Sequence, residues 1–452
     1  MIFPKNFIWG AASASYQIEG AVKADGRTPS IWDTFCQQPG RVWDGQTGET
    51  GPAHYHHLEE DVDLMSTLGL HAYRFSVSWT RVLPEGTGPL NPRGIAFYDR
   101  LIDRLLAKGI EPWLTIFHWD YPEALFQRGG WVNTESPDWF AEYTRVLADA
   151  FSDRVTNWMT LNEPQGFVHF GLHTGVHAPG LRLSLKEVLT AAHHVLLAHG
   201  QAVQTLNARC VKKPRIGIVP VGLHFLPVTD TSEDIETARK ATFAVTERNV
   251  WNIAWWADPI IRGNYPEDGL KLFAGAMPKI KPSDMAMISQ PLDFFGTNIY
   301  NAAKVRANGN GWEILPIDAN CPRTAMDWPV TPEALYWGPR FFYERYGLPI
   351  IILENGMANN DWIQRDGKVH DPQRIDFTAR YLQALHRVIE DGVKVDGYFH
   401  WSVMDNFEWA EGYRKRFGLV YIDYETGRRI PKDSFEWYRR IIRGNGDYNS
   451  EQ

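Results

Sequence analysis

The sequence predicts an α/β fold: one closed (β/α)8 barrel with long loops after its strands. Three observations predict it. Eight short apolar, β-branched or aromatic runs recur along the 452 residues: Phe7–Ala12, Ala72–Val77, Trp113–Phe117, Val155–Leu161, Arg215–Val221, Asp293–Tyr300, Pro349–Leu353 and Val395–Val403. Amphipathic stretches lie between them, and strands alternating with helices imply a parallel sheet that eight repeats can close. No Pro/Gly/Ser-rich linker, charge block or low-complexity tract divides the chain, so residues 1–452 read as a single domain. The chain exceeds a typical barrel by roughly 200 residues, and the loops must carry the excess.

Each element can be justified in order. The first run leads into Ser15-Tyr16-Gln17-Ile18-Glu19-Gly20. The second holds a cation, Arg74, inside Tyr73-Arg74-Phe75-Ser76, and the third ends in His118-Trp119-Asp120. The fourth closes on Thr160-Leu161-Asn162-Glu163-Pro164. Proline biases the residue before it away from the helical region, which predicts an extended strand end at Glu163. In the stretch Ser184–Leu206, residues Leu185, Val188, Leu189, Ala192, Val195 and Leu196 fall at helical spacing. The fifth run carries no evident chemistry. The sixth ends in Asn298-Ile299-Tyr300 and is followed by Ala303–Pro339, rich in Gly, Asn and Pro, which reads as a long loop at the end where barrels build their active sites. The seventh run meets Glu354-Asn355-Gly356, a turn with a positive φ available at Gly356. A second helical pattern, Asp371–Asp391, precedes the eighth run, which contains Trp401-Ser402 and leads to Asn406-Phe407-Glu408-Trp409-Ala410.

Composition narrows the function classes. The chain is 44% hydrophobic and 22% charged, as soluble globular proteins are. Its net charge of −8, and the lack of a Lys/Arg cluster interleaved with aromatics, argue against a nucleic-acid partner. No run of eighteen apolar residues suggests a membrane span. The first residues briefly imitate a secretory leader, but the apolar stretch is short and broken by Pro4 and Asn6. Cys36, Cys210 and Cys321 form neither a disulfide framework nor a metal spacing, which fits a reducing, cytoplasmic setting. His54-Tyr55-His56-His57 and His193-His194 lack the His-Glu-x-x-His ligand pattern and read as structural histidines. Nucleotide-binding glycine motifs and a Gly-x-Ser-x-Gly elbow are missing too. Neither a metal nor an organic cofactor is expected; monomer and homo-oligomer stay open.

The chemistry centres on Glu163 and Glu354. Alone, Glu163 also fits a favourable charge in the first turn of a helix, and Glu354 an incidental acid beside an Asn-Gly turn. Barrel strand ends converge on one pocket, however, and two carboxyl groups facing each other there form the machinery of glycosidic bond cleavage. At ~5–5.5 Å separation one attacks the anomeric carbon while the other serves as acid, then base. The acid must hold its proton near neutral pH, which burial and a negative neighbour promote. Sugar hydroxyls donate and accept at once, so Gln17, His118, Asn298 and Glu408 suit them, and aromatic faces such as Trp119, Trp401 and Trp409 stack on sugar rings. Each also has a plain structural reading: a satisfied core histidine, core tryptophans, capping or solvated polar groups. Arg74 fits an ion pair with a buried acid, and beside Glu354 it would keep that carboxylate ionised.

The ordered motifs resemble those of the family 1 glycoside hydrolases, the bacterial β-glucosidase group, from Phe7-Ile8-Trp9-Gly10 to Phe435-Glu436-Trp437-Tyr438. Those carrying the resemblance include Tyr16–Gly20, Tyr73–Ser76, Phe117–Asp120, Thr160–Pro164, Gly175-Val176-His177-Ala178-Pro179-Gly180, Glu354–Gly356 and Asn406–Tyr413. The resemblance implies that Glu163 is the acid/base and Glu354 the nucleophile of a retaining double displacement. It implies that Gln17, His118, Asn162, Trp401, Glu408 and Trp409 grip the non-reducing sugar, with Gln17 and Glu408 on the hydroxyls at C3, C4 and C6. Tyr300 resembles the tyrosine on the nucleophile, Arg74 the arginine beside it, Asn298 an asparagine of the same site, and Trp328 the tryptophan flooring the leaving-group site.

The implied substrate is a small β-glucoside or short oligosaccharide, cleaved at its terminal β-D-glucosyl residue, with β-galactoside or β-fucoside side activity. Alternatives are a galactosidase/fucosidase or transglycosylating relative, a 6-phospho-β-glucosidase, and a non-catalytic sugar-binding relative. A carboxylate at Glu408 would repel a phosphate dianion, and Lys415 alone does not reverse that. Three departures stand out. Leu353 replaces the usual Thr before the nucleophile and is expected to face away from Glu354 in a strand. Gln165 stands where many relatives have Trp. Gly166-Phe167-Val168-His169-Phe170 is also atypical, so leaving-group preference cannot be carried over.

Overall fold

The computed structural model describes residues 1–309 and 311–447. Eight parallel strands close into a barrel: β1 (Ile8–Ala12), β2 (Ala72–Ser76), β3 (Glu111–Phe117), β4 (Asn157–Asn162), β5 (Arg215–Val219), β6 (Phe294–Asn298), β7 (Ile350–Asn355) and β8 (Val395–Trp401). Each strand pairs with the next, and β8 returns to β1. All eight expected runs overlap these strands. The register sets the upper rim: Ala12 lies opposite both Trp401 and Arg74, and Glu354 opposite Asn298. Residues far apart in sequence therefore reach one mouth.

The helical stretches form where periodicity places them. Helix Leu185–Arg209 starts at Ser184, whose hydroxyl and Glu187 make a reciprocal capping box. The second helix spans Pro372–Glu390, with proline at its first position, where a missing N–H costs nothing. One expectation fails: Ala303–Pro339 is not one loop. Ala303–Asn308 and Gly311–Ile314 pair as an antiparallel hairpin, Phe225–Pro227 adds a third strand, and helix Ala334–Tyr346 begins before Pro339. The Gly/Asn content marks the hairpin turn rather than an unstructured span.

The barrel interior is filled by side chains, among them Ala12, Ala72, Trp113, Met159, Val219, Phe294, Ile351 and Phe399. The Trp113 ring packs on Phe294 at 5.7 Å and Phe399 at 5.0 Å. Arg215, the first residue of β5, lies over Trp113 and Phe294 and pairs with Asp396 at 2.9 Å, closing the lower end. Trp113→Ala would leave a cavity there and cost about 3–5 kcal/mol. This plug makes the lower half a rigid floor and confines open space to the upper mouth.

Among the described residues no helix is long and apolar enough to cross a membrane, and no group of three or more His, Cys, Asp or Glu is arranged to hold a metal ion. His54 contacts Asp61 at 2.7 Å, and His193 contacts Tyr265 at 2.9 Å and Asp284 at 3.2 Å. The three cysteines are free.

Candidate active site

A cavity of about 430 Å³ opens at the strand C-termini, lined by both Glu163 and Glu354. Glu354 sits on β7 just past a register shift against β6 between Ile352 and Glu354. The bulge has a consequence for Leu353. It packs in the barrel interior with Ile351, its side chain against Gly296, and does not face away as alternation predicts. Two successive residues, Leu353 and Glu354, thus serve the inside of the barrel, which a regular strand would not allow. Gly356 does not take a positive φ either. Its requirement is space: a Cβ there would stand 1.9 Å from the Trp401 carbonyl oxygen. Glu163 also departs from expectation, with φ 47° and ψ 62° in the left-handed region rather than extended. Proline disfavours only the right-handed helical region before it, and the left-handed turn is the alternative taken.

Arg74 organises the floor. Its Nη1 donates to Glu354 Oε1 at 2.6 Å, its Nη2 to Asn162 Oδ1 at 2.6 Å and its Nε to Thr115 Oγ1 at 3.0 Å. Tyr300 donates its hydroxyl to the other Glu354 oxygen at 2.7 Å. Asn298 Nδ2 donates to Glu163 Oε1 at 2.9 Å, and the same side chain also reaches Glu354. One amide touching both carboxyl groups places them face to face.

Their electrostatics differ. Burial, then the charge of Glu354, pushes Glu163 up to about 8. Burial also lifts Glu354 above the ordinary carboxyl range, but Arg74 and Tyr300 oppose that directly. Of the two, Glu163 keeps its proton and Glu354 carries the charge.

The other expected residues divide into two layers. His118, Trp119, Asn298, Tyr300, Trp328, Trp401, Glu408 and Trp409 line the cavity. Behind them Asn162 donates to His118 Nε2 at 3.0 Å while its Oδ1 accepts from Arg74 and Asn298, so its orientation is fixed from three sides. Gln17 donates to the Phe407 carbonyl at 2.9 Å, leaving its buried Oε1 without a protein partner, and buried His118 Nδ1 also lacks one. Burial and the Arg74 charge hold His118 well below its ordinary value, so it is neutral. Unpaired buried polar atoms at a cavity are what a hydroxyl-rich ligand would satisfy.

Trp119 and Trp409 share Glu163's unusual backbone, with φ 81° and 52°. Such strain concentrates at sites whose geometry the surroundings enforce. The Trp119 indole donates to the Asn162 carbonyl at 3.0 Å and stacks on Trp409 at 4.7 Å; a Cβ at Gly166 would meet the Trp119 ring at 2.5 Å. Burial pushes Glu408 up to about 8, with Asn406 donating to it at 2.9 Å. Lys415 is turned to the Ala325 carbonyl.

A family model for glycosyl hydrolase family 1 matches residues 1–447. The chain belongs to glycosyl hydrolase family 1. This glycosidase is 45% identical over 446 residues to beta-glucosidase A of Thermotoga maritima, covering 98% of each chain. It is 44% identical over 446 residues to a 1,4-beta-D-glucan glucohydrolase of Thermotoga neapolitana, covering 98% of this chain and 99% of that one. The solved structure of the Thermotoga maritima beta-glucosidase in complex with glucoimidazole superposes with a TM-score of 0.90 at 45% identity, covering 99% of this chain and 100% of that one. The barrel is the TIM barrel of family 1.

Sequence reasoning passed over other cavity-lining residues of the glycosidase, including His177, Leu223, Trp251, Asn301 and Phe417. His177 lies in the Gly175–Gly180 motif and could have been found there. Trp251 and Leu223 sit in irregular loop segments with no pattern to mark them.

Proposed function

We propose that this family 1 glycosidase is a retaining exo-β-glycosidase, acting on terminal non-reducing β-D-glucosyl residues of β-glucosides and short oligosaccharides. One observation carries the reading. A carboxylate paired to a buried cation, Glu354 on Arg74 at 2.6 Å, shares a closed-ended cavity with a carboxyl pushed up to about 8, Glu163.

The steps follow from that asymmetry. Glu354 attacks the anomeric carbon as Glu163 passes its proton to the departing glycosidic oxygen, and a glycosyl ester forms on Glu354. Esterification removes the Glu354 charge, one of the two groups raising Glu163, so Glu163 becomes a stable carboxylate when a base is needed. It then takes a proton from water attacking the ester, which restores both groups with retention at the anomeric centre. Gln17, His118, Asn162, Trp401, Glu408 and Trp409 hold the non-reducing sugar, Trp119 and Asn298 complete that wall, and Trp328 faces the leaving group. A β-glucosidase name among the relatives supports glucose as the preferred sugar. On this reading residues 1–452 act as one catalytic domain, in a reducing cytoplasm where the cysteines remain thiols.

The test is a rate panel on aryl β-glucoside, β-galactoside, β-fucoside, β-xyloside and 6-phospho-β-glucoside. The glucoside is expected to be turned over rapidly, with galactoside or fucoside as side activity. Dominant activity on the phosphoglucoside would overturn the substrate assignment.

A further inference from the structure

Two histidines have no part in the chemistry described so far. His169 belongs to the atypical segment after Glu163, and His173 follows it by one helical turn. We propose that the pair chelates a divalent transition-metal ion of the zinc, copper or nickel class, at a site separate from the two catalytic carboxyl groups.

The backbone is the first argument. Helix Pro164–Val168 widens into a π-helical turn over His169–His173, and Thr174 N donates to the His169 carbonyl at 2.9 Å. Side chains four apart on a helical turn are neighbours, and π turns recur at functional sites. Here the turn sets two imidazoles edge to face, with ring centroids 5.4 Å apart. Zinc bonds imidazole nitrogen at ~2.0–2.1 Å, so an ion held tetrahedrally by one nitrogen of each ring places the centroids about 5.2 Å apart. The observed spacing is close to that already.

Hydrogen bonding is the second. Neither ring makes a hydrogen bond among the described residues. Both Nδ1 atoms are buried without a partner, whereas neither Nε2 is buried and unpaired, so each ring turns Nε2 to solvent. Other histidines are held: His54 by Asp61, His193 by Tyr265 and His199 by Thr160. Two adjacent imidazoles with free, solvent-facing nitrogens form a bidentate donor set. No third His, Cys, Asp or Glu of the described residues joins it. Water would fill the remaining positions, and no acceptor holds either Nδ1, which together describe an exchangeable site rather than a structural one.

Chemistry selects the ion. Imidazole suits zinc, copper and nickel, while calcium and magnesium take oxygen ligands. Glu247 acts electrostatically on His169 and lends negative potential beside the pair. The site also has a route to the catalytic cavity. His169 packs on Trp251 at 5.7 Å, and Trp251 lines that cavity. A bound ion would therefore pin one wall of the pocket without touching Glu163 or Glu354.

The experiment is calorimetry with Zn²⁺ on chelator-treated protein near neutral pH, in the parent, His169→Asn and His173→Asn. The parent is expected to bind one ion with micromolar affinity at this site. Each variant should weaken that binding about 10–100-fold, at least the cost of losing a group that merely supports a metal ligand. The three free cysteines can also take zinc, so binding that persists unchanged in both variants lies elsewhere and overturns the proposal. A parent that binds no zinc at micromolar concentration overturns it too. His173 has no ring contact beyond His169, so His173→Asn disturbs little else, and circular dichroism checks its fold. Electron paramagnetic resonance of the Cu²⁺-loaded parent decides the question even if a variant misfolds. Coupling to two imidazole nitrogens upholds the chelate; a spectrum without nitrogen coupling overturns it.

Discussion

Replacing Arg74 by Met probes how the glycosidase keeps its two carboxyl groups in different protonation states. The guanidinium is 1% exposed and touches Glu354 at 2.6 Å, so the charge centres lie about 4 Å apart and solvent screens them little. At an effective dielectric of about 20 that pair is worth about 4 kcal/mol, or about 3 pK units. Methionine keeps most of the bulk and removes the charge. A buried carboxylate left without its cation costs several kcal/mol, and Glu354 takes up a proton instead. On the proposed mechanism Glu354 must be ionised to attack, so raising its pKa moves the acid limb of kcat/KM upward, by about 2–3 pH units. Glu163 must be protonated in the same step, and its activity is lost as pH rises through about 8, so the working window nearly closes. Below the parent's acid limb the rate is expected to fall about 100–1,000-fold, the full size of that shift, and by less as pH rises above it. The assay is a kcat/KM profile on an activated aryl β-glucoside, with Arg74→Lys as the comparison that keeps a charge but loses the fork to Asn162 and Thr115. An acid limb in Arg74→Met standing where the parent's stands would refute the reasoning.

Other outcomes follow from the same geometry. Glu163→Gln should slow cleavage of unactivated alkyl glucosides by about 10²–10⁴ and activated aryl glucosides far less, and its profile should lose the basic limb near 8. Glu408→Ser should cost about 2–10-fold on β-glucoside, the scale of a neutral hydrogen bond, since burial keeps this carboxyl largely protonated, and should raise the 6-phosphoglucoside/glucoside rate ratio. Gln165 clamps the cavity wall by donating to the Val221 carbonyl and accepting from the Val221 N–H, each at 3.1 Å. Gln165→Ala should therefore raise KM several-fold with a smaller change in kcat and lower stability by about 1–3 kcal/mol, read from steady-state kinetics and denaturant unfolding.

Much of this was legible in the residues, because barrel strands and their following motifs are local signals. Short β-branched runs, Asn162-Glu163-Pro164 and Glu354-Asn355-Gly356 sit where the pattern places them. What escaped was geometry that sequence neighbours do not determine. The bulge in β7 that turns both Leu353 and Glu354 inward depends on its pairing with β6. The left-handed turn at Glu163 is one of two conformations proline permits, and Glu163 N donating to the Val219 carbonyl at 2.6 Å helps select it. Gly356 answers to the Trp401 carbonyl of a different strand. The segment carrying Glu408 is held by a buried charge network. Asp405 accepts from Lys432 at 2.7 Å and Arg416 at 2.5 Å, and Lys432 also reaches Asp361, itself bonded to Arg374 at 2.8 Å. Those charges are scattered along the C-terminal part of the chain and show no spacing that would reveal them. The hairpin at Ala303–Ile314 was hidden for the opposite reason: its turn residues dominate the composition of a short segment.

The nucleophile assignment is tested most directly by Glu354→Gly supplied with azide and an activated aryl β-glucoside. Hydrolysis should be abolished without azide, and the small anion should enter the space left by the carboxyl group and give the α-glycosyl azide, inverted at the anomeric carbon. Normal turnover by Glu354→Gly, or rescue that yields only a β-configured product, would contradict Glu354 as the nucleophile.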